Sequence, residues 1–154
     1  MDNYATTLQQ DGLHYDVELW DTAGQDQYER LRPLSYEKSD LVIILYSTNH
    51  VNSFDNVKML WAPEIHRYLP ETPIILVGTK CDLPGKVDTV TGTQTARDIG
   101  AVSFIEVSAR TGHNVSELFQ TAIRLSDKKV CRKCHRLECA CHLRKKRHKF
   151  CVIQ

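Results

Sequence analysis

Trp20-Asp21-Thr22-Ala23-Gly24-Gln25 follows directly on the alternating run Leu13-His14-Tyr15-Asp16-Val17-Glu18-Leu19, and this junction decides the fold. Tyr15, Val17 and Leu19 alternate with Asp16 and Glu18, the period of a strand with one buried face. Asp11-Gly12 just ahead suits the positive φ angles of a tight turn, so Tyr4 to Gln10 and Leu13 to Trp20 are expected to form a hairpin. At the end of such a strand the carboxylate of Asp21 can hold Mg²⁺ through water. Gly24, lacking a Cβ, lets its amide approach a phosphate, and Gln25 can orient an attacking water. A surface turn is the plain alternative, but a D-T-A-G-Q string placed after a strand by chance is improbable. The usual companion of such a motif, the phosphate cradle G-x-x-x-x-G-K-[ST], does not occur in these 154 residues. Gly85-Lys86 is followed by Val87 and has no glycine five positions earlier.

Working outward, Leu41-Val42-Ile43-Ile44-Leu45-Tyr46 and Ile74-Ile75-Leu76-Val77 are short continuous apolar runs, as expected of parallel strands buried on both faces. Between them Ser53 is placed to cap a helix whose Phe54, Val57, Trp61, Ile65 and Tyr68 roughly share a face, and Pro63 is expected to kink it. Asn114 with Glu117 resembles a capping box, and Val115, Leu118, Phe119, Ala122 and Ile123 continue at helical spacing. Strands alternating with helices imply a doubly wound, mostly parallel α/β sheet with ligands beyond the carboxyl ends of its strands.

Two further strings fall at strand ends. In Gly78-Thr79-Lys80-Cys81-Asp82 the carboxylate of Asp82 can accept hydrogen bonds from the N1 and N2 donors of guanine while the Lys80 stem lies over the ring; adenine lacks that donor pair. In Ser108-Ala109-Arg110 the backbone amide of Ala109 can meet the guanine O6. Each string alone would as readily be an exposed loop, and their order along the chain is what raises them.

The near-neutral net charge of +1 hides an asymmetry. Residues 127–154 carry ten Lys and Arg against Asp127 and Glu138, a net of +8, which leaves ten basic against 17 acidic residues, a net of −7, for residues 1–126. The sequence contains no apolar run of about 18 residues and no secretory signal at Met1-Asp2-Asn3-Tyr4, which reads as a cytosolic, reducing setting. Five of the six cysteines (Cys131, Cys134, Cys139, Cys141 and Cys151) lie in the tail rather than through the body, which disfavours a disulfide scaffold.

Taken together, residues 2–126 resemble a Rho-family small GTPase of the Ras superfamily. Trp20 to Gln25 and Leu31-Arg32-Pro33-Leu34-Ser35-Tyr36 resemble its switch II, and Ser53-Phe54, Trp61-x-Pro63-Glu64, Pro73 to Lys80 and Gly100-Ala101-Val102 extend the likeness toward Rho and Rac rather than Ras or Rab. The resemblance implies a small GTPase domain over residues 1–126 that binds GTP or GDP with Mg²⁺. Asp21, Ala23, Gly24, Thr79, Lys80, Asp82, Ser108 and Ala109 would contact the nucleotide, Asp21 would hold Mg²⁺ through water, and Gln25 would be the catalytic residue. It also implies exchange factors, GTPase-activating proteins and effectors as partners.

Two departures stand out. The sequence opens within what resembles the end of switch I, without the family's first strand, P-loop and first helix. That first strand lies centrally, between the strand ending at Trp20 and the one starting near Leu41. Its loss is expected to open the core at a cost on the order of 10 kcal/mol, with marginal folding and weak nucleotide affinity. Leu83 to Gln94 is also too short for the extra helix that Rho proteins insert after the guanine-reading motif.

Residues 127–154 read as a flexible, basic, cysteine-rich membrane-targeting tail. Cys151-Val152-Ile153-Gln154 is a C-a-a-X box, its final Gln usually favouring farnesyl. Arg144 to Lys149 upstream supplies the second signal that stable anchoring to an anionic surface needs. Cys139 and Cys141 are candidate acylation sites. Alternatively Cys131, Cys134, Cys139 and Cys141 supply four soft zinc ligands; Cys131-x-x-Cys134-His135 also matches a haem-attachment string, and free thiols are the plain reading. The expected location is the cytoplasmic face of a membrane, with no nucleic-acid partner, since aromatic stacking residues are lacking beyond Phe150. Two functions stay open at this level: a GTP-hydrolysing switch, or a catalytically inactive, membrane-anchored interaction fragment.

Overall fold

A computed structural model describes residues 2–22, 32–127 and 146–154. Strands β1 (Asp2–Gln10) and β2 (Leu13–Thr22) pair antiparallel, with Asp2 opposite Asp21 and Gln10 opposite Leu13. Asp11 and Gly12 take φ of 50° and 76°, both positive, as the hairpin reading requires. The chain continues through α1 (Arg32–Tyr36), β3 (Leu41–Ser47), α2 (Val51–Asn56), a π-helical segment (Val57–Trp61), α3 (Ala62–Tyr68), β4 (Ile74–Thr79), α4 (Thr89–Asp98), β5 (Ser103–Glu106), α5 (Val115–Asp127) and β6 (Lys146–Ile153). The six strands lie in the order β1-β2-β6-β3-β4-β5, and every neighbouring pair after β1-β2 is parallel.

This order corrects one expectation. The slot between β2 and β3 is not open: β6, from the segment read as a flexible tail, fills it. β6 pairs with β2 over eight residues, Tyr15–Thr22 against Lys146–Ile153, and with β3 over four, Leu41–Ile44 against Phe150–Ile153. The physical reason lies in Phe150-Cys151-Val152-Ile153, a short apolar, partly β-branched run that suits a strand covered on both faces. Phe150, Cys151 and Ile153 are each fully buried.

The sheet separates two apolar layers. On one face Cys151 and Ile153 join Val42, Ile44, Tyr46 and Leu76 beneath Val57, Trp61 and Ile65. On the other, Phe150 joins Val17, Ile43, Ile75 and Val77 beneath Leu118, Ala122 and Ile123 of α5. At about 1.5–3 kcal/mol per buried large apolar side chain, Phe150 and Ile153 alone contribute a few kcal/mol to closing the sheet.

Three local expectations are also revised. Helix α2 starts two residues before Ser53, and its N-cap is His50, whose Nδ1 accepts from the Ser53 amide at 3.3 Å. Ser53 instead ties the turn together: its Oγ donates to the His50 carbonyl at 2.8 Å and accepts from the Ser47 amide at 2.9 Å. The disturbance expected at Pro63 takes the form of the π-helical segment immediately before it, the wider turn accommodating a residue that cannot donate. Asn114 does not cap α5 in capping-box fashion. Its φ is 55°, and its side-chain amide donates to the Glu106 carbonyl at 2.9 Å, anchoring the helix start to the end of β5. Between β4 and α4 the described chain holds no helix, in line with the short Leu83–Gln94 interval.

Candidate guanine-nucleotide site

All five parallel strands point the same way, so the ends of β2, β6, β3, β4 and β5 share one edge, and the predicted residues that the structure describes lie along it. The two strings expected to contact guanine meet directly. Ser108 Oγ donates to Asp82 Oδ1 at 2.6 Å, and Arg110 Nη1 lies 3.9 Å from Asp82 Oδ2. The Ser108 hydrogen bond, more than any other influence, holds the Asp82 carboxyl below its ordinary range, with Arg110 adding to the effect. An acceptor-only carboxylate is what two guanine N–H donors require.

The loops are fixed by their backbones. The Val107 amide donates to the Gly78 carbonyl at 2.8 Å and the Cys81 amide to the Val107 carbonyl at 3.2 Å, stitching the β4 exit to the β5 exit. Ser108 is itself fully buried; its amide donates to His113 O at 3.1 Å and its carbonyl accepts from Gly112 N at 2.9 Å. Lys80 takes a φ of 60°, a left-handed turn that ends β4 and leaves its side chain exposed. Thr79 Oγ1 donates to the Tyr46 carbonyl at 2.9 Å, binding this exit to β3. Ala109 is exposed beside Ser108.

Sequence reasoning missed Thr48, buried just after β3. Its Oγ1 donates to the Lys80 carbonyl at 3.3 Å, and its own carbonyl accepts the amides of Lys86 and Val87 at 2.8 and 3.0 Å. The available signal was a hydroxyl residue following the apolar run Leu41–Tyr46.

Asp21 is brought to the same edge but not to the same place. It is exposed at the end of β2, opposite Val152 of β6. β6 and β3 intervene before β4, so three strand spacings, about 14 Å, separate it from the Asp82 group. Ala23, Gly24 and Gln25 lie outside the described residues, as do Cys131, Cys134, Cys139 and Cys141. Asp21, the residue assigned to Mg²⁺, lies opposite Asp2 of β1; no group of three or more His, Cys, Asp or Glu among the described residues is arranged to hold a metal ion.

Comparison with known proteins bears on the family of the chain. The Ras family model matches residues 1–128. The chain is 41% identical over 136 residues to the GTP-binding protein RHO2 of Saccharomyces cerevisiae, a match covering 81% of this chain and 71% of that protein. It is 41% identical over 133 residues to the Ras-like GTP-binding protein RhoL of Drosophila melanogaster, covering 83% and 70%. A GTP-binding RHO-like protein of Candida albicans is 42% identical over 123 residues, covering 79% of this chain, which spans only 36% of that longer protein. The chain belongs to the Ras family of small GTPases, in its Rho-related branch.

Proposed function

We propose that this chain is the guanine-recognising body of a Rho-type nucleotide switch, with a C-terminal box that accepts a lipid. The observation that carries the reading is the Ser108–Asp82 hydrogen bond of 2.6 Å at the joined exits of β4 and β5, which presents an ionised acceptor where a purine edge would lie. Asp82 would accept the two N–H groups of guanine, the Lys80 stem would cover the ring, and the Ala109 amide would meet O6. Asp21 would face the Mg²⁺ that accompanies the phosphates, and Gln25 would orient the water for hydrolysis of GTP. Exchange factors, GTPase-activating proteins and effectors are the corresponding partners.

Within these 154 residues no glycine-rich loop cradles the phosphates, so the base contacts carry binding and affinity is weak. The test is titration with fluorescent GDP and GTP in Mg²⁺, with an adenine nucleotide as control. Guanine-selective binding that Asp82→Asn weakens by about 10-fold or more supports the reading, since a hydrogen bond to a charged group is worth about 1.5–3 kcal/mol. Binding that ignores the base, or none with either purine, overturns it and leaves the inactive interaction fragment. Cys151 as prenyl acceptor, Cys139 and Cys141 as acylation sites, and attachment at the cytoplasmic face of a membrane belong to the same proposal. The basic run Arg144 to Lys149 beside the box supports them. No helix among the described residues is long and apolar enough to cross a membrane.

A further inference from the structure

The segment that reads as a lipid acceptor is also the one that closes the sheet. Cys151 is fully buried, flanked by Trp20 of β2 on one side and Val42 of β3 on the other. Its Sγ lies 4.0 Å from Ser35 Oγ, within the apolar layer that contains Tyr36, Val42 and Trp61. The next carbonyl, Val152 O, accepts from Thr22 Oγ1 at 2.8 Å, and Ile153 is fully buried. A transferase must hold these residues as a free peptide with the sulfur at its own catalytic centre, which the sheet denies it.

We propose that docking of β6 and prenylation of Cys151 are mutually exclusive, so that the chain is either strand-closed and unlipidated or strand-released and competent for the membrane. This rests on the reading of the box as a prenyl acceptor. In the modification the Cys151 sulfur bonds to C1 of a prenyl diphosphate while the C1–O bond breaks. Inorganic diphosphate leaves with the bonding electrons, and the thiol proton passes to solvent. Docking opposes the step by access, and burial also pushes the thiol up to about 11, which starves it of the thiolate nucleophile. Docking withdraws basic charge as well. The Lys149 ammonium donates to the Glu37 carbonyl at 2.8 Å and sits 4.2 Å from the Trp20 ring centre, so it faces the protein rather than a lipid surface. Release therefore frees the thiol and a membrane-facing lysine together.

The test incubates the full chain, and separately a peptide of residues 144–154, with protein farnesyltransferase and farnesyl diphosphate, reading Cys151 by peptide mass spectrometry. In parallel, Cys151 of the full chain is alkylated with iodoacetamide against partly exposed Cys81 as internal reference. We expect farnesylation at least tenfold slower in the chain than in the peptide. Cys151 alkylation should be slower than that of Cys81 by a similar factor, and the alkylation difference should vanish in urea. Phe150→Asp, which undocks the strand without altering the box, should bring farnesylation to the peptide rate; if it does not fold, the wild-type alkylation ratio decides. A wild-type chain modified as fast as the peptide overturns the proposal. A peptide that takes no farnesyl group overturns the lipid half together with the anchor reading, whereas fast alkylation of Cys151 overturns the strand half alone.

Discussion

Strands β4 and β6 both run parallel through the middle of the sheet, yet they reach that position by different chemistry. In β4 the run Ile74–Val77 is apolar and buried throughout, with a neighbour on each side. In β6 the first half is Lys146-Arg147-His148-Lys149 and only Phe150–Ile153 is apolar. The pairing explains how such a strand is tolerated: its basic half lies against β2 alone, and only the apolar half is clasped between β2 and β3. At the boundary Asp40 extends the ladder with its side chain, accepting the Lys149 amide at 3.0 Å while its own amide donates to the Lys149 carbonyl at 2.8 Å. His148, buried within the basic half, lies with its ring 5.7 Å from that of Tyr15 and its Nε2 3.5 Å from Asp127 Oδ1. A central strand therefore needs apolar residues only over the length where both of its edges are covered.

The largest break in this comparison is Phe150→Asp, which puts a carboxylate at a fully buried site; a loss of at least about 4 kcal/mol is expected, read as a collapse of the denaturation midpoint. Next come matched truncations. Leu76→Ala in β4 and Ile153→Ala in β6 remove side chains of equal burial, so each should cost about 2–5 kcal/mol in urea unfolding. An Ile153→Ala cost near zero would show that β6 is a loose lodger rather than an equal of β4. A third test uses pH. Burial raises the Cys151 thiol from its ordinary value of 9.0 to about 11, so its contribution is intact below pH 9 and is lost as pH rises from 9 to 11, when only the unfolded chain ionises. The expected loss is about 2–3 kcal/mol, and because buried Tyr36 and Tyr46 also resist ionisation, it is read as the difference between wild type and Cys151→Ala over that range. The smallest effect is Lys149→Ala, expected to cost about 0.5–1 kcal/mol through its contact with the Trp20 ring.

Much of the fold was legible because its signals are local. Asp11-Gly12 specifies a hairpin by backbone angle, Leu41–Tyr46 and Ile74–Val77 announce buried strands by composition, and Val115 to Ile123 announces α5 by spacing. The Asp82–Ser108 pairing was legible by order along the chain, although the two residues are 26 apart. β6 was not, because four apolar residues after a basic run satisfy a lipidation box as well as they satisfy a strand. Only the vacancy between β2 and β3, a property of the assembled sheet, separates the two. The His50 cap escaped for a similar reason: Ser53 has the usual capping chemistry, but the turn after β3 brings His50 to the helix start first.

The position of β6 has a kinetic consequence. Thr22 meets Val152 across 130 residues of chain and Asp40 meets Lys149 across 109, so the strand that joins the hairpin to the rest of the sheet is recruited through very long loops. Such closures are slow, because a long loop must lose its freedom before any contact rewards it. While they are pending, β2 and β3 present two unpaired inner edges to every other chain in solution. The refolding rate should therefore fall and turbidity should rise with protein concentration, and an added peptide carrying Phe150–Ile153 should suppress the turbidity by covering those edges first.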